Sequence, residues 1–457
     1  MEELTRKQQI RMVIALSIPA ILAEISSVIM QYIDAAMVGS LGAEASAAIG
    51  LVSSSTWLIG GLCISVGTGF SVQVSQLIGA KREEEAQNVL RQALIICLLV
   101  GIAFAGIGIL ISGGLPVWLG GSSEILQDAS KYFLIYSCAL PFVQMRQLSG
   151  SMLQCSGNMK TPSILNTCMC GLDIIFNALL IFPTRQVMLG GMEITLYGAN
   201  MGVAGAALGT ALSEIVISLL MLGAVCFRSQ HLRLTHHGSW RLKKRCLVTA
   251  TKIALPMAFE HTVLCGAQVM ITRIVAPLGT ISVAANSLGV TAESLCYMPG
   301  YGIAAAATTL VGQSIGAGRK DIAKRFARVS VLLGVVVMSM MGVIMFIFAP
   351  NAFRMLTVDT AVQALGTKVL RIEMFAEPFY ALSIVVAGAL RGAGDTLVPS
   401  LFNLISMWGV RITASLILAP HFGLVGVWIA MCGELIFRGI LFLIRLMRER
   451  WLTYKVL

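Results

Sequence analysis

Long apolar runs, rather than alternating apolar and polar positions, dominate this chain. Five of them contain no Asp, Glu, Lys or Arg: 45–80, 92–123, 294–318, 329–353 and 412–433. Each run is long enough for the roughly 20 helical residues that cross the hydrocarbon of a bilayer. Solid apolar runs favour helices over a membrane barrel, whose strands alternate, because every backbone group in lipid must be hydrogen-bonded within the protein.

Breaks at proline, glycine and charged clusters divide the chain into twelve predicted spans. These are 12–37, 46–78, 89–112, 127–152, 161–182, 199–226, 249–275, 283–314, 326–349, 364–388, 397–419 and 423–446. The composition agrees, because 57% of the 457 residues are hydrophobic and only 12% are charged, too few to cover a soluble fold. The eleven cysteines lie in apolar runs or in segments predicted to be cytoplasmic, and we expect them to be reduced.

Positive charge is concentrated at both termini and in alternate loops, whereas the intervening loops contain only Arg185 and Arg354. The positive-inside bias therefore predicts a multi-pass protein of the plasma membrane, in a bacterium the inner membrane, with both termini in the cytoplasm. The net charge of +11 then requires no nucleic-acid partner. The basic stretch 231–245 is interpreted as a topology signal that rests on anionic lipid.

An internal repeat with a shift of 237 residues predicts the architecture. This shift aligns prolines without a gap, pairing Pro19 with Pro256, Pro141 with Pro378, Pro162 with Pro399 and Pro183 with Pro420. After Pro183 the first half contains 16 extra residues, predicted to form an outer loop. Each repeat holds six spans, so both halves run in the same sense. We therefore expect an all-α polytopic membrane protein with two parallel six-helix lobes around a central cleft.

The predicted domain boundaries follow from the repeat. The first lobe covers residues 1–227, a basic cytoplasmic linker covers 228–248, and the second lobe covers 249–457. Two lobes that face each other across a cleft are the plan of a carrier that opens alternately to either side.

Ionisable residues at membrane depth are costly and therefore mark candidate sites. Acids outnumber bases in the span interiors, which predicts a cleft that favours cations. Asp34 in the first span, Asp173 and Asn177 in the fifth and Thr210 in the sixth form the predicted cation-coupling site. Their oxygens suit sodium, with Asp34 and Asp173 as the metal ligands, or the two acids could share a proton. Two simpler alternatives remain. Asp34 could lie at a solvated helix end, and Asp173 could be an acid that hydrogen bonds between helices neutralise.

Further polar residues in the spans are predicted to line the substrate cleft: Glu24, Gln31, Glu260, His261, Gln268, Glu373 and Glu377. The last two lie one turn apart in the tenth span, and with Glu260 and His261 they are expected to form a separate polar cluster in the second lobe. His261 is either a proton relay or a hydrogen-bonded pore histidine. The first-lobe acids have no acidic counterpart under the 237-residue shift.

Four segments together resemble the MATE family of multidrug and toxic compound extrusion transporters. They are QYIDAAMVGSLGA at 31–43, SQLIGAKREEEA at 75–86, QSIGAGRKDIA at 313–323 and RGAGDTLVPS at 391–400. The resemblance implies efflux of amphipathic, often cationic compounds in exchange for sodium ions or protons, with no other cofactor. It gives a central role to Asp34. One branch carries Asn and then Asp in the fifth span, the reverse of Asp173 and Asn177, and the seventh-span acid of another branch lies about one turn from Glu260.

Two other classes of function fit the sequence less well. A lipid-linked oligosaccharide flippase of the related superfamily would favour a more basic cleft that holds pyrophosphate. An enzyme is not expected, because the chain contains neither an HExxH zinc motif nor a P-loop, which also excludes direct drive by ATP. The predicted partners are small-molecule drugs or metabolites and the lipid bilayer, and the protein is expected to be a monomer.

Overall fold

The computed structural model describes residues 5–454 and 456, so the outermost positions of the predicted lobes, 1–4, 455 and 457, lie outside the described residues. The first half contains α1 (Arg6–Gly39), α2 (Ala43–Gly79), α3 (Glu83–Ile111), the short α4 (Leu115–Trp118), α5 (Leu126–Cys155), α6 (Lys160–Ile181), strands β1 (Pro183–Leu189) and β2 (Met192–Ala199), and α7 (Val203–Gly223). The second half contains α8 (Lys244–Val275), α9 (Thr280–Gly316), α10 (Lys320–Leu356), α11 (Thr360–Glu373), α12 (Glu377–Ala393), α13 (Leu397–Leu404), α14 (Thr413–Phe422) and α15 (Leu424–Met447).

Twelve helical segments of membrane length account for the predicted spans. Among the described residues, nine helices are long and apolar enough to cross a bilayer. The long helices α5 and α9 and the nearly continuous pair α11–α12 complete the twelve. α13 and α14 count as one segment because a π-helical stretch, Ile405–Ile412, joins them. The prediction of a polytopic helical membrane protein is confirmed.

The inserted loop after α6 forms a β-hairpin, which the all-α prediction missed. β1 and β2 pair in antiparallel fashion, with Val187 opposite Ile194. Gly190 and Gly191 form the turn with φ values of 61° and 87°, which residues other than glycine rarely adopt. Two adjacent glycines between β-prone residues are a hairpin signal that the sequence contains.

Proline and a tightened turn separate α11 from α12. A 3₁₀ turn, Met374–Ala376, follows α11, and Pro378 occupies the first turn of α12, where its missing N–H leaves no helical hydrogen bond unmade. This break places Glu373 at the last residue of one helix and Glu377 at the first residue of the next.

Twelve crossings bring both ends of the chain to the same end of the bundle, which we call the terminal end. There α2 of the first lobe crosses α9 of the second with the symmetry of the repeat. A Cβ on Gly79 would lie 1.9 Å from the Gln313 carbonyl oxygen, and one on Gly316 would lie 1.8 Å from that of Gln76. Only glycine permits this approach of two backbones.

The two glutamines of this crossing also bond across the lobes in a symmetric way. Gln76 Nε2 donates to the Gly392 carbonyl at 3.1 Å, and Gln313 Nε2 donates to the Cys155 carbonyl at 2.9 Å. Donors and acceptors are each related by the 237-residue shift. We refer to Gln76, Gly79, Gln313 and Gly316 as the terminal seal, since they join the lobes at this end.

The linker between the lobes is attached to the first lobe. Its Lys243 backbone N–H donates to Gln92 Oε1 at 2.7 Å, and Arg91 Nη2 donates to the Thr235 carbonyl at 2.8 Å. The helix α8 begins at Lys244, inside the predicted linker. A Cβ on Gly238 would overlap the Arg91 guanidinium, so the linker lies directly on this buried arginine.

Candidate functional site

Three helices of the first lobe bring together the four residues of the predicted coupling site. Asn177 on α6 donates through Nδ2 to Asp34 Oδ1 on α1 at 3.0 Å and to Asp173 Oδ2 at 3.1 Å. Thr210 on α7 lies beside Asp173, and the Asp34 and Asp173 carboxyl groups contact each other. We call these four residues the first-lobe polar site.

Small residues on α7 make this arrangement possible. Gly209 faces Asn177 so closely that a Cβ would lie 2.1 Å from its Oδ1. One turn earlier, Gly205 packs against the Leu180 carbonyl, 2.5 Å from the position of a Cβ. Glycines at helical spacing let two membrane helices approach at the backbone.

The first-lobe polar site is largely buried, and no basic side chain among the described residues pairs with its acids. Asp173 is 0% exposed and Asn177 is 1% exposed, whereas Asp34 is only partly buried. In the described part of the chain, Asp173 Oδ1 and Asn177 Oδ1 have no hydrogen-bond partner. Two touching carboxyl groups without a nearby positive charge require a proton or a cation between them. The carboxylate, amide and hydroxyl oxygens fit a hard cation such as sodium.

A cavity of about 190 Å³ adjoins this site within the same lobe. Its lining includes Tyr132, Tyr136, Arg146, Thr210 and Glu214. Arg146 and Glu214 neutralise each other through two hydrogen bonds of 2.5 and 3.1 Å. Thr210 therefore belongs both to the cavity wall and to the first-lobe polar site, so a molecule in the cavity would lie next to the acid pair.

The residues that were predicted to line one cleft lie in several different parts of the structure. Glu24 on α1 lies within electrostatic range of Arg146, close to the first-lobe cavity. Gln31 on α1 and Gln268 on α8 are exposed. His261 packs against Gly61 of α2, where a Cβ would lie 2.5 Å from its Nδ1, so it forms part of the contact between the lobes.

Glu260 belongs to a hydrogen-bonded network and not to a cluster with the tenth-span acids. It accepts from Asn403 Nδ2 at 2.6 Å, from Ser400 at 3.2 Å and from Arg391 at 3.4 Å. Arg391 is fourteen residues beyond Glu377 on α12, about 21 Å at 1.5 Å per residue. Glu373 and Glu377 instead lie beside Glu293 of α9.

Sequence reasoning missed three residues that the structure places at these sites. Arg146 and Glu214 lie on α5 and α7, and nothing in their spacing indicates that they form an ion pair. Glu293 lies about 80 residues before Glu373 and Glu377 along the chain, so nothing in the sequence links it to them. The available signal was the composition of the spans, which contain more acids than their arginines can neutralise.

Two segments of the chain, residues 19–179 and 256–417, match the family model described as MatE. Their starting points differ by 237 residues, the shift of the internal repeat. The chain belongs to the MatE family. As a member of this family it is a multi-pass membrane transporter for small molecules and not an enzyme, in agreement with the names of its relatives.

The relatives of this MatE protein cover almost its whole length. A probable multidrug resistance protein NorM of Thermotoga maritima is 27% identical over 450 residues, 97% of this chain and 93% of the relative. A probable multidrug resistance protein YoeA of Bacillus subtilis is 22% identical over 90% of this chain and 88% of its own. An uncharacterised B. subtilis transporter, YisQ, is 25% identical over 92% and 89%.

Solved structures share the fold of this MatE protein. A transporter of the MOP superfamily from Pyrococcus furiosus superposes with a TM-score of 0.89 at 20% identity, covering 98% of this chain and 97% of its own. The Vibrio cholerae MATE transporter VcmN, as a mutant, superposes with a TM-score of 0.88 at 18% identity, covering 98% and 99%. These likenesses establish the two-lobe architecture.

Proposed function

We propose that this MatE protein exports amphipathic, often cationic drugs or toxic compounds in exchange for sodium ions or protons. The observation that supports this most directly is the position of Thr210, which belongs both to the wall of a first-lobe cavity and to an acid pair that has no basic partner among the described residues. The names of the relatives, which include multidrug resistance proteins, favour the same substrate class.

The coupling is proposed to act through the cost of burying two acids. A cation or proton at Asp34 and Asp173 offsets the desolvation of the carboxylates, so its binding favours one of two openings of the transporter. The electrical part of an ion gradient supplies ~2.3 kcal/mol per charge per 100 mV. No cofactor beyond the coupling ion is needed.

The preference for cations follows from the lining of the first-lobe cavity. Tyr132 and Tyr136 offer aromatic faces that attract organic cations. Arg146 does not offer a free positive charge to an anion, because Glu214 binds it. A lipid-linked oligosaccharide flippase would need an unpaired positive charge here for pyrophosphate. We therefore favour the multidrug transporter.

The orientation is also part of the proposal. Both termini lie in the cytoplasm of a plasma-membrane protein, because positive charge collects at that end. The protein is also proposed to act as a monomer. With this orientation the terminal seal closes the cytoplasmic end, which corresponds to an outward opening in an alternating-access cycle.

The test uses proteoliposomes that contain a fluorescent lipophilic cation and are given either a sodium or a pH gradient. Asp34→Asn and Asp173→Asn should bind the dye and remain folded but lose gradient-driven exchange. The matched control is Glu44→Gln, which changes an exposed acid at the start of α2. Near-normal exchange by both Asn variants would place coupling elsewhere, and transport of anionic dyes alone would favour the flippase.

A further inference from the structure

Three glutamates of the second lobe form a compact acidic cluster, far along the chain from the first-lobe polar site. Glu293 lies on α9, Glu373 ends α11 and Glu377 begins α12. One carboxylate oxygen from each lies within 4.8 Å of those from the other two. Glu373 and Glu377 are 0% exposed and Glu293 is 5% exposed. We call these three residues the second-lobe acidic cluster.

The helix break between α11 and α12 builds this cluster. The 3₁₀ turn Met374–Ala376 keeps Glu373 and Glu377 about one turn apart on the nearly continuous pair α11–α12. On α10, Gly342 closes over Glu377, since a Cβ there would lie 3.1 Å from its Cγ. The absence of a side chain at Gly342 therefore leaves room for the buried Glu377 side chain inside the lobe.

No donor from outside the cluster satisfies the carboxylates of α11 and α12. In the part of the chain that the structure describes, both oxygens of Glu373 and both oxygens of Glu377 lack such a donor, and the Glu373 carboxyl contacts those of Glu293 and Glu377. An unsatisfied buried acceptor costs about 1–3 kcal/mol, and more when it is charged. Glu260 shows the usual solution in the same lobe, because Asn403, Ser400 and Arg391 all donate to it. The cluster thus lacks the donors that a structural buried acid has.

The nearby charges do not balance the cluster. Arg411 and Arg438 are its basic neighbours, and both bind Glu434, at 2.5 and 2.7 Å. The two arginines therefore face four glutamates, which leaves two negative charges when all are ionised. The remaining neighbours, such as Tyr297 and Cys296, are neutral groups. One bound ion of charge +2 would make the whole group electrically neutral.

The separation of the oxygens also suits an ion of this kind. Calcium binds carboxylate oxygens at about 2.3–2.6 Å, so ligands on opposite sides of it are about 4.6–5.2 Å apart. Carboxylate ligands without nitrogen or sulfur favour calcium, manganese or magnesium over softer metals. We propose that Glu293, Glu373 and Glu377 bind one hard divalent cation inside the second lobe, a site separate from the coupling site proposed for the first lobe.

The experiment measures Mn²⁺ binding to the purified full-length chain in detergent. Free Mn²⁺ gives a sharp electron paramagnetic resonance signal that disappears on binding, and calcium can be added as a competitor. We expect one tightly bound Mn²⁺ per chain, displaced by calcium, and loss of this binding in the double variant Glu373→Gln and Glu377→Gln. Asp34→Asn with Asp173→Asn and the exposed control Glu44→Gln should keep it.

Thermal unfolding separates metal binding from folding. The glutamine variants should fold in the absence of metal, because they remove charge repulsion and keep the side-chain shape. Mn²⁺ should raise the melting temperature of the natural chain and of Asp34→Asn, but not that of the cluster variants. Failure of the natural chain to bind Mn²⁺ would mean that protons alone neutralise the cluster and would overturn the proposal. Undiminished Mn²⁺ binding by the double variant would overturn it equally, and neither outcome bears on transport coupling by Asp34.

Discussion

The hydrogen bonds of the terminal seal give an estimate of how strongly Gln76 and Gln313 hold the two lobes together. Gln76→Ala and Gln313→Ala each remove one hydrogen bond that crosses between the lobes. Such a bond contributes about 1 kcal/mol net, so each variant should shift the equilibrium toward an open terminal end about fivefold. The two bonds use different acceptors, so their effects should add to about 2 kcal/mol, or roughly 30-fold.

A native cysteine reports this opening. Cys155 is 4% exposed and lies at the seam, next to Ser71 and Thr309, and its carbonyl accepts the Gln313 bond. Its alkylation rate, read by mass spectrometry of the purified chain, should follow the population of the open terminal end. Cys97 is 0% exposed in the core of the first lobe and reports unfolding in the same sample.

The two cysteines distinguish opening at the terminal end from unfolding of the first lobe. Alkylation of Cys155 should accelerate in the order natural chain, single variants, double variant, while Cys97 stays unreactive. Gln127→Ala, at an exposed position near the start of α5, should leave both rates unchanged. An unchanged Cys155 rate in the double variant, or a parallel rise at Cys97, would refute the view that these bonds hold the lobes closed.

Three further predictions concern a buried ion pair, the membrane orientation and the linker. Glu434 binds two buried arginines, so Glu434→Gln should lower stability by about 3–5 kcal/mol, measured as a lower melting temperature by circular dichroism; an unchanged melting temperature would contradict this. Cysteines at His237 in the linker and Thr195 on β2 should react with an impermeant reagent from opposite sides of the membrane, and labelling from one side would refute the topology. Gly238→Ala should displace Arg91 and make the linker more sensitive to limited proteolysis, whereas equal cleavage rates would show that it remains docked.

The first-lobe polar site was predictable in part because its signals are local. Asp173 and Asn177 are four residues apart, so a helix places them on one face whatever surrounds it. Asp34 and Thr210 were selected for depth and residue type, and the structure brings them to the same place. The hydrogen-bond partners within the site depend on how α6 packs against α7. The glycines of α7 indicate that the two helices lie close together, but they do not show which residues face each other.

The grouping of the acids in the second lobe cannot be predicted from the sequence. Glu260, Glu373 and Glu377 were grouped because all are acids at membrane depth in one lobe. The structure gives Glu260 three hydrogen-bond donors and gives the other two none. Partners in this lobe are about 80 to 140 residues apart, and a single sequence contains no periodicity that links positions so distant.

The sequence by itself determined the membrane class, the twelve spans and the parallel repeat. Burial in lipid demands apolar runs of a set length, and duplication leaves prolines and glycines at one constant shift. Only the tertiary structure decided which buried charges are neutralised and which are not. That outcome depends on ångström-scale contacts between helices, such as the close approach of Gly209 to Asn177 and the break that joins Glu373 to Glu377. The hydrophobic pattern of a segment shows that it is buried in the membrane. Whether a charge in that segment is neutralised depends on the side chains that helix packing brings next to it.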